Sequence, residues 1–156
     1  MIRAATPADV ATILRFVREL AAFEREPDAV VATEAMLADA LFGPAPAAEA
    51  VIAEVDGAAV GFALFFHNFS TWTGRRGLYL EDLYVTPDAR GQGVGKALLR
   101  HLARIAVARD CARFEWSVLD WNAPAIAFYR SVGAVGMADW TVQRMEGDAL
   151  RTLAGR

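Results

Sequence analysis

A glycine-rich turn in the second half of the chain places the strongest constraint on its fold. The apolar run Leu78–Val85 is typical of a β-strand, Pro87 ends it, and a helix is predicted to run from the glycines to about Arg109. The turn and its flanks read Arg90, Gly91, Gln92, Gly93, Val94, Gly95, Lys96. Glycines let the backbone approach a ligand closely and point several N–H groups in one direction, and the new helix adds its positive end. The segment therefore predicts a strand–turn–helix unit whose turn binds phosphate.

Two common phosphate motifs do not fit this turn. A P-loop requires Gly-Lys followed by Ser or Thr, but Gly95-Lys96 is followed by Ala97, and Arg90 occupies the place of the first glycine. The dinucleotide fingerprint requires Gly or Ala in its last place, where this chain has Lys96 or Leu98, depending on the starting glycine. The pattern that remains is Arg-x-x-Gly-x-Gly.

The rest of the chain alternates helical and strand patterns. Asp56-Gly57 separates two β-rich runs and predicts a hairpin, while Asn122 is the expected cap of a helix over Pro124–Val132. Further strands are predicted over 2–5, 50–55, 58–67 and 114–119, with a loop over 68–77, further helices over 10–23 and from Thr33, and one or two final strands within 136–145. The order β-α-α-β-β-β-α-β-α-β predicts one mixed α/β domain over residues 1–156.

Composition narrows the function classes. The 156 residues are 55% apolar with a net charge of -3 and no basic block, so we expect a sizeable core and no nucleic-acid partner. No apolar run is long enough to cross a membrane, and no signal peptide is expected. The single cysteine, Cys111, excludes a disulfide within the chain and fits a cytoplasmic protein. It makes no metal-ligand spacing with His67 or His101, so no metal is predicted.

The glycine turn resembles the pyrophosphate loop of the GNAT superfamily of N-acetyltransferases. Four further segments look like its diamine branch, which includes spermidine/spermine and thialysine acetyltransferases: Asn68–Trp72, Leu80–Val85, Leu119–Asn122 and Ala127–Arg130. The resemblance implies a GNAT fold with a central, mostly antiparallel mixed sheet flanked by helices. It also implies acetyl-CoA as cosubstrate, a small primary amine as acceptor, direct attack in a ternary complex, and a homodimer. The expected acetyl-CoA contacts are Leu83, Tyr84, Val85, Arg90, Gly91, Gln92, Gly93, Val94, Gly95, Lys96, Asn122, Tyr129 and Arg130.

Three catalytic candidates follow from the chemistry of acetyl transfer. The resemblance places Tyr129 beside the CoA sulfur as the proton donor to the thiolate. Glu81 is the expected proton acceptor for the amine, through water, with Asp82 attracting the cation, or with the two roles exchanged. Regular strand alternation sends Glu81 and Asp82 to opposite faces, so both can line one site only if the strand is splayed or bulged.

The acceptor pocket is expected to be acidic and aromatic, because carboxylates and aromatic faces attract an alkylammonium chain. Its expected members are Glu24, Trp72, Glu81, Asp82, Trp121 and Trp140. Arg75-Arg76 is interpreted as a solvated turn or as a clamp for the carboxylate of an amino-acid substrate. Two alternative functions remain open: acetylation of protein N-termini or lysines, and a non-catalytic module that senses acyl-CoA.

Overall fold

The computed structural model describes residues 1–156 and divides them into two compact units, Met1–Ser117 and Val118–Arg156. The first unit contains the sheet. Its strands are β1 (Ile2–Ala4), β2 (Glu49–Val55), β3 (Ala58–Ser70), β4 (Arg75–Val85) and β5 (Phe114–Trp116), and its helices are α1 (Val10–Phe23), α2 (Glu34–Phe42) and α3 (Val94–Ala108). The second unit contains α4 (Ala123–Ser131) and α5 (Gly147–Leu153).

The five strands lie in the order β1-β2-β3-β4-β5. The first four are antiparallel to their neighbours, and β5 pairs parallel to β4 over Leu78–Leu80. The mixed, mostly antiparallel sheet predicted from the sequence is confirmed. The Asp56-Gly57 turn joins β2 to β3 with φ angles of 50° and 78°, which are the left-handed values that a two-residue hairpin requires.

Helices α1 and α3 contact the sheet, and their apolar stripes explain the packing. In α1, Ile13 and Phe16 are completely buried, and the Phe16 ring stacks on Phe62 of β3 at 5.8 Å. In α3, Leu98 and Leu102 are completely buried at the four-residue spacing that the sequence predicted. Burying each of these side chains contributes roughly 1.5–3 kcal/mol, so the sheet is held by apolar contact with both helices.

Three sequence predictions require correction. The loop expected over residues 68–77 is only a four-residue turn, because β3 continues to Ser70 and β4 begins at Arg75. The strand predicted over 114–119 ends at Trp116, where its pairing with β4 ends. No strand forms within 136–145, because an isolated extended segment has no neighbour for its backbone hydrogen bonds. Helix α5 was missed entirely, since its seven residues begin with the unfavourable helix former Gly147.

Candidate active site

A β-bulge in β4 determines where the two candidate acids lie. Phe65 of β3 pairs with Leu80, but the preceding residue, Leu64, pairs with Asp82, so Glu81 is an extra residue opposite no partner. Directly paired residues share a face of the sheet. Leu80 therefore shares the face of Phe65, whereas Asp82 shares the face of Leu64. The bulge moves Asp82 to the other side of the sheet from Leu80.

This second side is the one that helix α1 covers. Leu64, Phe62 and Tyr84 belong to the core cluster that includes Phe16 of α1, and the Tyr84 ring lies 5.5 Å from Phe16. Asp82 follows the same face as Tyr84, as strand alternation predicted. Because Glu24 directly follows the last residue of α1, the end of that helix brings a third carboxylate towards the bulge.

These three carboxylates lie close enough for their charges to interact. Burial raises the pKa of Asp82 to about 6, with further contributions from the negative charges of Glu81 and Glu24. Burial and the charge of Glu81 also raise the pKa of Glu24. Like charges in a partly desolvated site disfavour ionisation. The cluster can therefore attract a cation, and Asp82 can take up a proton near neutral pH.

The sheet opens beside this cluster. Strands β4 and β5 pair only over Leu78–Leu80, whereas β4 continues to Val85. From Glu81 onwards, the edge of β4 that faces away from β3 has no neighbouring strand. Backbone N–H and C=O groups need hydrogen-bond partners, so this edge can bind an extended ligand through its main chain. The predicted main-chain contacts at Leu83 and Val85 lie in this segment.

The glycine turn follows directly at the end of β4. A short 3₁₀ turn over Pro87–Ala89 leads into Gly91 and Gly93, which have φ angles of 78° and 80°. A side chain is strained at these angles, and a Cβ there would meet no atom within 4 Å. The turn therefore needs glycine for its conformation, while the space beside it stays open. Gly93 is the N-cap of α3 and offers no capping side chain, so the N-terminal backbone donors of α3 are available to a phosphate.

Arg90 is held at the base of this turn. Its Nε donates a hydrogen bond to the carbonyl oxygen of Val85 at 2.9 Å. The centre of its guanidinium lies 5.2 Å from the Phe23 ring and 5.6 Å from the Tyr84 ring. The two ring contacts connect the turn to the end of α1, and phosphate binding by Arg90 stays a prediction.

Sequence reasoning missed Glu19 and Phe23. The hydroxyl of Tyr84 donates to Oε2 of Glu19 at 2.6 Å, and burial followed by this hydrogen bond raises the pKa of Tyr84. Tyr84 is therefore a core residue whose side chain faces α1, and its predicted contact with acetyl-CoA would involve only its main chain. Helical spacing in α1 places Glu19 and Phe23 on one side of the helix, which is the signal that was available.

Five further site candidates lie in the second unit. Oδ1 of Asn122 accepts a hydrogen bond from the backbone N–H of Ala125 at 3.3 Å, so its predicted capping role is confirmed. Tyr129 is half-buried in α4 with its ring 5.7 Å from Phe128, and Nη1 of Arg130 donates to the carbonyl oxygen of Ala134 at 3.1 Å. Trp121 and Trp140 are exposed in the same unit.

Trp72 does not lie near the acids of its own chain. It sits in the turn between β3 and β4 and is 79% exposed. Arg75 and Asp82 are seven residues apart along β4, which at about 3.3 Å per residue separates the turn from the acid cluster by roughly 20 Å. The structure thus brings together Glu24, Glu81 and Asp82 but not Trp72.

Comparison with known proteins identifies the family. The model of the acetyltransferase (GNAT) family matches residues 14–134. The chain belongs to this family, and the sheet that opens beside the glycine turn is the GNAT fold that the sequence resemblance implied. Among solved structures, an integron cassette protein from the mobile metagenome of V. cholerae superposes with a TM-score of 0.82 at 29% identity, covering 100% of this chain and 98% of that one.

Individual relatives make the class more specific. The thialysine N-epsilon-acetyltransferase of Sus scrofa is 39% identical over 100% of this chain and 98% of its own length, and that of Mus musculus is 40% identical over 99% and 97%. The spermidine/spermine N(1)-acetyltransferase-like protein 1 of Homo sapiens is 36% identical over 98% of this chain but 23% of its own length. The chain is an N-acetyltransferase of the diamine and thialysine branch.

Metal-ligand groups and membrane-spanning helices are both absent from the structure. No group of three or more His, Cys, Asp or Glu side chains has an arrangement that could hold a metal ion. None of the helices combines the length and the apolar character needed to cross a bilayer.

Proposed function

We propose that the protein transfers the acetyl group of acetyl-CoA to a small primary amine, either a polyamine or a thialysine-like amino acid, by direct attack in a ternary complex. The observation that carries this proposal is the bulge at Glu81. It puts Asp82 on the face that α1 covers, where the negative charges of Glu81 and Glu24 act on it, and the same strand leads directly into the turn proposed to bind phosphate. A site for a cationic acceptor and a site for a phosphate-bearing donor are thus joined by one short segment of chain.

The residues of the first unit fit acetyl-CoA. The pyrophosphate would be held by the open turn at Gly91 and Gly93, the N-terminus of α3 and the remaining donors of Arg90. The edge of β4 from Leu83 to Val85, which has no neighbouring strand, would bind the pantetheine arm through its main chain. When bound, acetyl-CoA supplies the thioester whose acetyl group is transferred.

Asp82 is the better candidate for the proton acceptor. A lysine-like amine has a pKa near 10.4, so presenting it neutral at pH 7 costs about 4–5 kcal/mol. A base works best when its pKa lies near the operating pH, and the pKa of Asp82 is raised to about 6 by burial. Glu24 and Glu81 would then attract the ammonium group. In this arrangement Asp82 accepts the proton and Glu81 attracts the cation, which is the second of the two role assignments that the sequence left open.

Tyr129 completes the proposed chemistry. The ammonium group loses one proton to Asp82, its nitrogen bonds to the acetyl carbon, and the C–S bond breaks to leave a thiolate that takes the phenol proton of Tyr129. The second proton of the attacking nitrogen leaves as the amide forms and, through water, restores the phenol. A phenol with a pKa near 10 is protonated at neutral pH and can give its proton to a thiolate with only a small uphill cost. The family resemblance around Ala127–Arg130 supports Tyr129 in this role, together with contacts from Asn122 and Arg130.

The names of the relatives support a small acceptor. They include acetyltransferases for thialysine, for L-ornithine and for spermidine or spermine, all of which are compact amines that are cationic at neutral pH. We further propose that residues 1–156 act as a single acetyltransferase domain in a cytoplasmic homodimer, which the family resemblance supports.

The test is CoA release by the purified protein with acetyl-CoA and a panel of acceptors: spermidine, putrescine, thialysine, lysine, ornithine and an N-terminal peptide. Turnover on at least one small amine, with kcat lowered 100-fold or more in Asp82→Asn and in Tyr129→Phe, is the expected result. Asp28→Asn, which removes an exposed carboxylate in the loop after α1, is the matched control and should leave kcat unchanged. If only the peptide is acetylated, the acceptor is a protein and not a small amine. If no acceptor is acetylated although acetyl-CoA still binds, the result favours a non-catalytic module that senses acyl-CoA.

A further inference from the structure

A crevice lies at the opposite end of β4 from the acid cluster, and the proposed acetyl transfer gives it no role. It lies between the β3–β4 turn and the segment that leads into β5, and it is open to solvent. Its charged lining consists of Arg75, Arg76, Arg113 and Glu115. About 40 Å³ inside it is accessible to water, which at about 10–15 Å³ per water position admits roughly three waters, enough for the oxyanion group of a ligand whose remainder extends into solvent. We call it the arginine crevice.

Two of its three arginines form no ion pair, although the charge of Arg76 acts on the nearby carboxylate of Glu49. Arg75 forms an ion pair with Asp110 at 2.7 Å. Arg76 and Arg113 form no ion pair, and the side chain of Arg76 only donates to the carbonyl oxygen of Arg109 at 3.4 Å. The crevice therefore carries an excess of positive charge with guanidinium donors to spare. Guanidinium groups recognise carboxylates and phosphates through paired hydrogen bonds.

The shape of the crevice is set by the backbone. Gly77 forms part of its lining, and a Cβ at that position would collide with Oδ1 of Asn68 and approach the carbonyl oxygen of Arg113. Glycine thus allows the chain segments that carry Arg76 and Arg113 to lie close together. Phe69, which pairs with Arg76 across the strands and is exposed, adds an apolar wall.

Glu115 adds a carboxylate to the lining of the crevice. It is half-buried, and Oε1 accepts only a long hydrogen bond of 3.5 Å from Nδ2 of Asn68. Its negative charge opposes an anion, so its neutralisation should strengthen anion binding. This expectation separates a true site from general attraction to a basic surface, where the effect of one carboxylate would be screened by salt.

We propose that the arginine crevice binds a small molecule through an oxyanion group, either a phosphate or a carboxylate. The crevice lies roughly 20 Å from Asp82 along β4, so it cannot hold the carboxylate of an amine whose nitrogen reaches the acid cluster of the same chain. The ligand is therefore not the amine bound at the acid cluster of the same chain. The proposal does not depend on the acetyltransferase chemistry.

The test is a titration of the full chain at constant ionic strength, monitored by backbone amide NMR. One titration uses inorganic phosphate and the other uses succinate. We expect saturable shifts at Ser70, Thr73 and Gly77 with a dissociation constant below about 1 mM in at least one arm. The tighter arm identifies the class of oxyanion. Shifts at Gly91 and Gly93 report separately on phosphate in the glycine turn, so the two sites are distinguished in one spectrum.

Four variants sharpen the result. Arg76→Gln and Arg113→Gln should each weaken binding at least fivefold, and Glu115→Gln should strengthen it about threefold or more. Arg104→Gln, which removes an exposed arginine from α3, is the matched control and should leave binding unchanged. Each variant must keep the wild-type amide spectrum outside the crevice. The proposal is overturned if neither anion binds by 10 mM, if shifts are confined to the glycine turn, or if Arg104→Gln weakens binding as much as Arg76→Gln.

Discussion

Replacing Asp82 with asparagine should make the protein more stable while making it a poorer enzyme. Burial and two neighbouring carboxylates raise the pKa of Asp82 from 3.8 to about 6. A carboxyl with a higher pKa in the folded state binds a proton more tightly when folded, so its contribution to stability decreases as the pH rises from about 4 to 6. Above pH 6 the ionised side chain destabilises the fold by up to about 3 kcal/mol, at 1.36 kcal/mol per pKa unit.

Asparagine keeps the shape of the side chain and removes its charge. In urea denaturation at pH 8, Asp82→Asn should increase the free energy of unfolding by about 1–3 kcal/mol, because the amide still loses some hydration on burial. For a chain of this length, that corresponds to a rise in Tm of about 2–10 °C. The difference from wild type should shrink towards zero at pH 4, where the folded wild-type carboxyl is already protonated.

The control for this experiment is Asp28→Asn, which removes an exposed charge and should change stability by less than about 0.5 kcal/mol at either pH. A stabilisation that is the same at pH 8 and pH 4 would refute the electrostatic reasoning, and so would a destabilised variant. A stable variant that keeps full kcat would separate the two roles and remove Asp82 as the proton acceptor, leaving Glu81.

Three further predictions concern the turn and the N-terminal segment. Phe23→Leu removes the ring over which Arg90 lies and should raise the KM for acetyl-CoA about two- to fivefold at unchanged kcat, as steady-state kinetics will measure. Gly93→Ala places a Cβ at a φ of 80° and should cost about 1–2 kcal/mol in urea denaturation, with a higher KM for acetyl-CoA; an unchanged midpoint would contradict it. The guanidinium of Arg3 lowers the pKa of Asp9 to about 2, so this pair should lose about 2 kcal/mol of stability as the pH falls from about 4 to 2. An Asp9→Asn variant as acid-sensitive as wild type over that range would argue against it.

Much of the fold could be predicted because local chemistry specifies it. The Asp56-Gly57 turn, the Asn122 cap and the strand–glycine–helix unit each need particular residue types at particular places, and those residues are present. The C-terminal segment was harder. Trp140, Thr141 and Val142 suit a strand, but strand propensity is expressed only where a partner strand is available, and none is present in that unit.

The acid cluster shows the limit of sequence reasoning more clearly. The sequence predicted that Glu81 and Asp82 could share a site only at a splayed or bulged strand, and the structure has a bulge at that point. Its presence could not be read from the pattern. The facing residues Ala63, Leu64 and Phe65 are all buried, because helices cover both faces of β3. Without a polar side to the strand, a shift of one residue carries no signature in the sequence.

The same bulge explains why two adjacent carboxylates can act in one place. In a regular strand, Asp82 would continue on the face of Leu80, away from α1 and from Glu24. One extra residue carries Asp82 to the face that α1 covers, where burial and two negative neighbours raise its pKa. A carboxyl in that environment gains from a nearby ammonium group, because the cation relieves the repulsion that raised the pKa. The bulge thus both creates the preference for a cationic acceptor and brings the proposed proton acceptor close to neutral pH.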